Sequence, residues 1–120
     1  MTASAPFSPE EIKAEIEAVR RPFRAASLLP ARAYHDPAVW ALERDSWFSR
    51  DWICVGREED APEPGTFFRS EELGEPLVIV RARDGVLRAF YNVCQHRGTA
   101  VVEEQCGKAV RFQCPYHAWI

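Results

Sequence analysis

Two short cysteine–histidine pairs near the end of the chain constrain it more than anything else: Cys94-x-His96 and Cys114-x-x-His117. Each pair is compact enough for one tight loop to present both side chains to one site. Residues 97–113 lie between them, enough for a strand, a loop and a returning strand. A fold that holds the two loops side by side would let two thiols and two imidazoles face a common point. Composition leaves room for such a scaffold. The 120 residues are 47% apolar and 28% charged, ordinary values for a soluble globular domain large enough to bury a core. The net charge of −3 comes without a basic block, which argues against nucleic-acid or anionic-membrane binding. No apolar run reaches the ~20 residues of a membrane span, and no basic-then-apolar leader opens the chain, so a cytoplasmic location is expected. In a reducing compartment, clustered Cys and His point to metal rather than to disulfides.

The chain begins helically and turns to β. Ser8-Pro9-Glu10-Glu11 predicts a helix start, with Ser8 as cap, Pro9 in the first turn and Glu11 closing a capping box. Ile12, Ile16 and Val19 then form a helical stripe ending near Arg20. Asp36-Pro37 predicts a second helix reaching about Ser49, packed on one side only. From Trp52 onward short strands are expected at 52–57, 66–69, 77–83, 86–92 and 109–113. Asp84-Gly85 reads as a two-residue hairpin turn. The expected fold class is mainly β: an antiparallel β domain over residues 51–120, preceded by two N-terminal helices in a segment 1–50.

Ligand chemistry narrows what the two pairs can hold. Structural zinc accepts two Cys and two His, but its usual knuckles pair like with like, whereas each loop here carries one of each. A mononuclear electron-transfer iron wants four thiolates. A Rieske-type [2Fe–2S] centre wants two Cys on one iron and two His on the other, which one Cys and one His from each loop would supply. Zinc, and four residues with no metal role at all, stay open as alternatives on spacing alone. Cys106 is read as a bystander to a complete four-donor set, Cys54 as too displaced in sequence to take part, and His35 as structural or exposed. The acidic runs at 10–11, 58–60 and 71–72 are read as solvated surface.

These residues also carry a family resemblance. CQHRG at 94–98 and CPYHAW at 114–119, with WICVGREED at 52–60 and GEPLVIVRARDGVLRAFYNVC at 74–94, resemble the Rieske region of the α subunits of ring-hydroxylating and related non-haem iron oxygenases. The resemblance spans roughly residues 28–120. It implies that Cys94 and Cys114 ligate one iron of the cluster and His96 and His117 the other. It also implies a flavoprotein reductase or ferredoxin as electron donor, and delivery of electrons to a mononuclear iron that activates O₂. That iron, bound by two His and a carboxylate, belongs to a catalytic domain expected beyond Ile120, so no catalytic residue is assigned within this chain. On this reading the chain is a C-terminally incomplete piece that does not hydroxylate by itself, and the parent is a homo-oligomer. In respiratory Rieske proteins an extra Cys in each loop forms a disulfide; the corresponding residues here are Thr99 and Tyr116. Ala118 stands where glycine is expected, and its extra methyl is tolerable if the backbone there has negative φ. In overall texture the segment from Ser27 to Arg57 is similar to the choline, betaine and carnitine-type branch, implying a quaternary ammonium substrate, with an aromatic ring as the other candidate. A stand-alone Rieske ferredoxin is the alternative from a different class, and a zinc-binding module the third.

Overall fold

The computed structural model describes residues 9–120 and divides into two compact units between Trp52 and Ile53. In the first unit α1 spans Pro9–Ile16, α2 Arg32–His35 and α3 Pro37–Ser46, followed by a 3₁₀ turn at Phe48–Arg50. The cap expected from Ser8 and the Glu11 side chain lies outside the described residues. α1 stops at Ile16 rather than near Arg20, its last bonds tightening as Val19 N–H and Arg20 N–H both reach Ile16 C=O at 2.9 and 3.3 Å. α3 starts as expected: Asp36 Oδ1 accepts the Ala38 N–H at 2.9 Å, with Pro37 in the first turn. It ends at Ser46, where the chain tightens into the 3₁₀ turn and Trp47 stacks on Phe48 at 4.0 Å. α2 has no counterpart in the sequence reading. Arg32 ties it to α1 through Glu15 at 2.9 Å, and His35 is exposed. Among the described residues no helix is long and apolar enough to cross a membrane.

The second unit is an antiparallel sheet of β1 (Thr66–Glu72), β2 (Glu75–Arg81), β3 (Leu87–Tyr91) and β4 (Cys106–Lys108), in the order β3-β2-β1-β4. One face carries the core: Phe67 and Val78 from the strands meet Val102 from the connection, with Val80, Val101, Ala109 and Phe112 packed around them. Ile79 is buried on the other face, in register with Phe68. Mainly β architecture with short N-terminal helices is thus what the chain forms.

Three local readings are corrected. The two-residue hairpin is not at Asp84-Gly85 but at Leu73-Gly74, where both residues have positive φ (58° and 86°) between the paired Glu72 and Glu75. A bulky leucine in left-handed backbone is uncommon, which hid the turn. Around Asp84 the Gly85 N–H reaches Ala82 C=O and the Ala82 N–H reaches Val86 C=O, both at 2.9 Å, and only Gly85 has positive φ (81°). This is a three-residue loop with a bulged glycine. Asp84 closes it, accepting from Val86 N–H and from both Arg88 nitrogens at 2.8 and 2.7 Å. The Arg88 bonds hold its carboxyl well below the usual carboxylate range.

The strand expected at 109–113 is displaced to Cys106–Lys108, extended one step where the Ala109 N–H reaches Gly65 C=O at 2.9 Å. Gly107 makes this possible: a Cβ there would stand 3.0 Å from Phe67 Cζ, so only glycine lets β4 close over that ring without displacing it. The chain then leaves the sheet and sets Phe112 edge-on against Phe67 at 5.4 Å. The apolar pattern of 109–113 records that packing, not a ladder. Residues 52–57, also expected as a strand, carry no strand pairing among the described residues, and Trp52 is 99% exposed.

Candidate metal centre

Two loops leave this scaffold with the same closure. In the first, Cys94 N–H donates to Thr99 C=O at 2.8 Å while Gly98 N–H donates to Cys94 C=O at 2.8 Å. In the second, Cys114 N–H donates to Trp119 C=O at 2.7 Å while Ala118 N–H donates to Cys114 C=O at 3.0 Å. Each loop therefore folds back on its cysteine four and five residues later, although the histidine comes second after Cys94 and third after Cys114. The fourth position needs left-handed backbone in both: φ is 71° at Gly98 and 59° at Ala118. The condition of negative φ under which the Ala118 methyl is easily tolerated is not met, because the loop's back-bond, not the side chain, dictates the conformation. Left-handed backbone costs an L-residue roughly 1–2 kcal/mol, partly offset in a glycine by its larger unfolded-state entropy. Ala118→Gly is expected to stabilise the protein by about 1 kcal/mol, read as a higher urea midpoint at unchanged slope.

A residue not singled out in the sequence positions the first loop. Asn92 is 1% exposed, directly after β3 and two residues before Cys94. Its Oδ1 accepts the N–H groups of Val101 and Val102 at 3.0 and 2.9 Å, and its Nδ2 donates to Val102 C=O at 2.8 Å. Its own N–H donates to Pro76 C=O at 2.8 Å. One side chain thus closes the chain around the first loop and anchors it to the core residue Val102. A lone asparagine at a strand end gives no sequence signal for this; burial alone reveals it.

The donors are layered by depth. Cys94 and Cys114 are 7% and 3% exposed, whereas His96 and His117 lie at the surface. The Tyr116 N–H directed at the Cys114 sulfur draws that thiol below its ordinary pKa; the Cys94 side chain and the His117 N–H add to this, and burial opposes it. Backbone N–H groups aimed at a sulfur stabilise negative charge there before any metal arrives. The imidazoles of His96 and His117 meet edge to face at 4.9 Å between centroids. Trp119 stacks on His96 at 4.8 Å and 5°, and Tyr116 leans on His117 at 4.1 Å. The two sulfurs are thus brought together, and so are the two imidazoles.

Sulfur paired with sulfur and imidazole paired with imidazole is a donor set that fits two irons taking two protein ligands each. Among the described residues no three Cys, His, Asp or Glu side chains converge on a single ion position. A structural zinc needs four donors around one ion, whereas each iron of a Rieske cluster takes only two from the protein. Cys54 and Cys106 are exposed and outside the group, and all four cysteines are free thiols.

Comparison with known proteins agrees. The model of the Rieske [2Fe-2S] domain matches residues 51–120. Over 92 residues the chain is 44% identical to the carnitine monooxygenase oxygenase subunit of Escherichia coli K12, covering 76% of this chain and 24% of that one. Among solved structures, a quaternary ammonium Rieske monooxygenase in complex with L-carnitine aligns at a TM-score of 0.72 and 36% identity, over 93% of this chain and 30% of that one. Naphthalene 1,2-dioxygenase from Rhodococcus sp. aligns at 0.80 and 27% identity, over 92% and 24%. The chain belongs to the Rieske [2Fe-2S] domain family, and what it matches in these relatives is the Rieske region of oxygenase subunits. It spans about a quarter of the length of the curated carnitine relative.

Proposed function

We propose that Cys94 and Cys114 hold the inner iron, and His96 and His117 the outer iron, of a [2Fe–2S] cluster in residues 51–120, and that this centre relays electrons within an O₂-dependent oxygenase. The observation that carries the reading is the layering of the four donors, sulfurs buried and imidazoles at the surface. A bound Rieske cluster supplies one-electron transfer, and its potential follows ligand type, hydrogen bonds to sulfur and exposure. The residues around it have separable tasks. Tyr116 and His117 N–H groups stabilise thiolate at Cys114. Asn92 anchors the first loop to the core, and the paired backbone closures shape each loop around its cysteine. The exposed imidazoles offer electrons a short way in from a reductase or ferredoxin and out toward a mononuclear iron elsewhere in the whole protein.

For that whole protein, the 44% identity to the carnitine enzyme over 92 residues, against 33% to a biphenyl dioxygenase α subunit over 113, favours a quaternary ammonium substrate over an aromatic hydrocarbon. Substrate, reductase, a homo-oligomeric state and a cytoplasmic location all belong to this proposal. Metal and sulfide analysis after anaerobic reconstitution tests its core: about two irons and two acid-labile sulfides per chain are expected. One zinc with no sulfide would contradict it.

A further inference from the structure

We infer that Trp119 is a positioning residue for the cluster, holding the His96 imidazole from across the gap between the two loops. The inference rests on the ligand assignment above and adds a role for a residue that assignment does not use. Trp119 belongs to the second loop, where its carbonyl is pinned by the Cys114 N–H at 2.7 Å. His96 belongs to the first. The two rings lie 4.8 Å apart and only 5° from parallel, an offset stack.

A histidine at the surface has few neighbours to stop its ring from turning about the bond to Cβ. A flat indole laid parallel to it blocks that rotation on one face. The edge of His117 at 4.9 Å bounds it from another side. His117 needs no such help from the other loop, because Tyr116 beside it already covers its ring at 4.1 Å. A reciprocal contact runs the other way: the Arg97 guanidinium of the first loop sits 5.9 Å over the Tyr116 ring of the second, at the outer limit of a cation–π contact. Each loop thus lends a side chain to the histidine side of its neighbour. With every cysteine a free thiol, these ring contacts tie the loops where no covalent link does. Trp119 is still 56% exposed, so it is a cover over the histidine rather than part of the core.

Three variants of the 120-residue chain test this: Trp119→Leu, Trp119→Phe and, as control, Trp52→Leu at a fully exposed tryptophan. The readouts are iron and sulfide content, the rate at which an iron chelator bleaches the visible absorption, and the EPR line shape after reduction. Trp119→Leu is expected to keep its iron and sulfide but to bleach about two- to tenfold faster, the loss of one aromatic pair, with broadened g features from a less uniform His96 orientation. Trp119→Phe restores a flat ring and is expected to return both readouts to within about twofold of the unsubstituted chain, and Trp52→Leu to change neither. Unchanged bleaching and line shape in Trp119→Leu would overturn the inference. So would a Trp119→Phe chain that behaves like Trp119→Leu, and that comparison decides the matter even if the leucine chain takes up no iron. An unsubstituted chain without iron and sulfide would instead sink the ligand assignment beneath it.

Discussion

Cys114→Ser is expected to abolish cluster binding, taking iron and sulfide from about two each per chain to near zero. Two features make the effect close to complete. Cys114 is 3% exposed and has its thiol already drawn toward thiolate by the Tyr116 N–H, so the position is built for sulfur anion and not for a neutral hydroxyl. A serine hydroxyl at neutral pH stays protonated, whereas the metal ligand at such a position is the thiolate. Cys106→Ser is the matched comparison. Cys106 lies exposed in β4, in register with Phe68 and apart from the donor group, and its loss is expected to leave iron content unchanged. Iron and sulfide analysis of both variants checks this. Equal losses from both would mean that the cysteines act through general folding rather than ligation.

Asn92→Leu is expected to be the most destabilising change outside the ligands, by about 3 kcal/mol or more. Leucine has the same branching and number of side-chain heavy atoms as asparagine and leaves no cavity, so the cost comes chiefly from lost hydrogen bonding. It leaves the Val101 N–H, the Val102 N–H and the Val102 C=O without their partner in a site where Asn92 is 1% exposed. Each buried group left unsatisfied costs roughly 1–3 kcal/mol. The loss falls on the segment that closes the first loop against the core residue Val102, so metal uptake is expected to fall together with stability. Urea unfolding of the metal-free chain measures the first effect and iron content the second. A midpoint within experimental scatter of the unsubstituted chain would show that the loop is held by other means.

The two Cys/His loops were legible in the sequence because each depends on a spacing of two or three residues within one turn. The scaffold was legible where a strand is a continuous apolar run, as in β2, and where a cap is chemically unambiguous, as at Asp36. It was not legible where a long-range contact decides. Gly107 is in β4 because Phe67 needs its missing side chain, a fact no local pattern holds. Leu73 turns left-handed because Glu72 and Glu75 must pair. Ala118 does the same because the second loop repeats the closure of the first. Asn92, like every other asparagine, looks like a turn former until its burial is known. These misses displace strands by a few residues and leave the two Cys/His pairs where their spacing put them, because the loops close through their own backbone.

The central claim, that histidine and cysteine divide the two irons between them, is tested most directly by pulsed EPR on the reduced protein with ¹⁵N-labelled histidine. Two strongly coupled histidine nitrogens with the low average g of a Rieske centre are predicted, both lost from a His96→Ala, His117→Ala double variant. A paramagnetic centre without histidine coupling, or no centre in a protein that has bound zinc, would contradict the account.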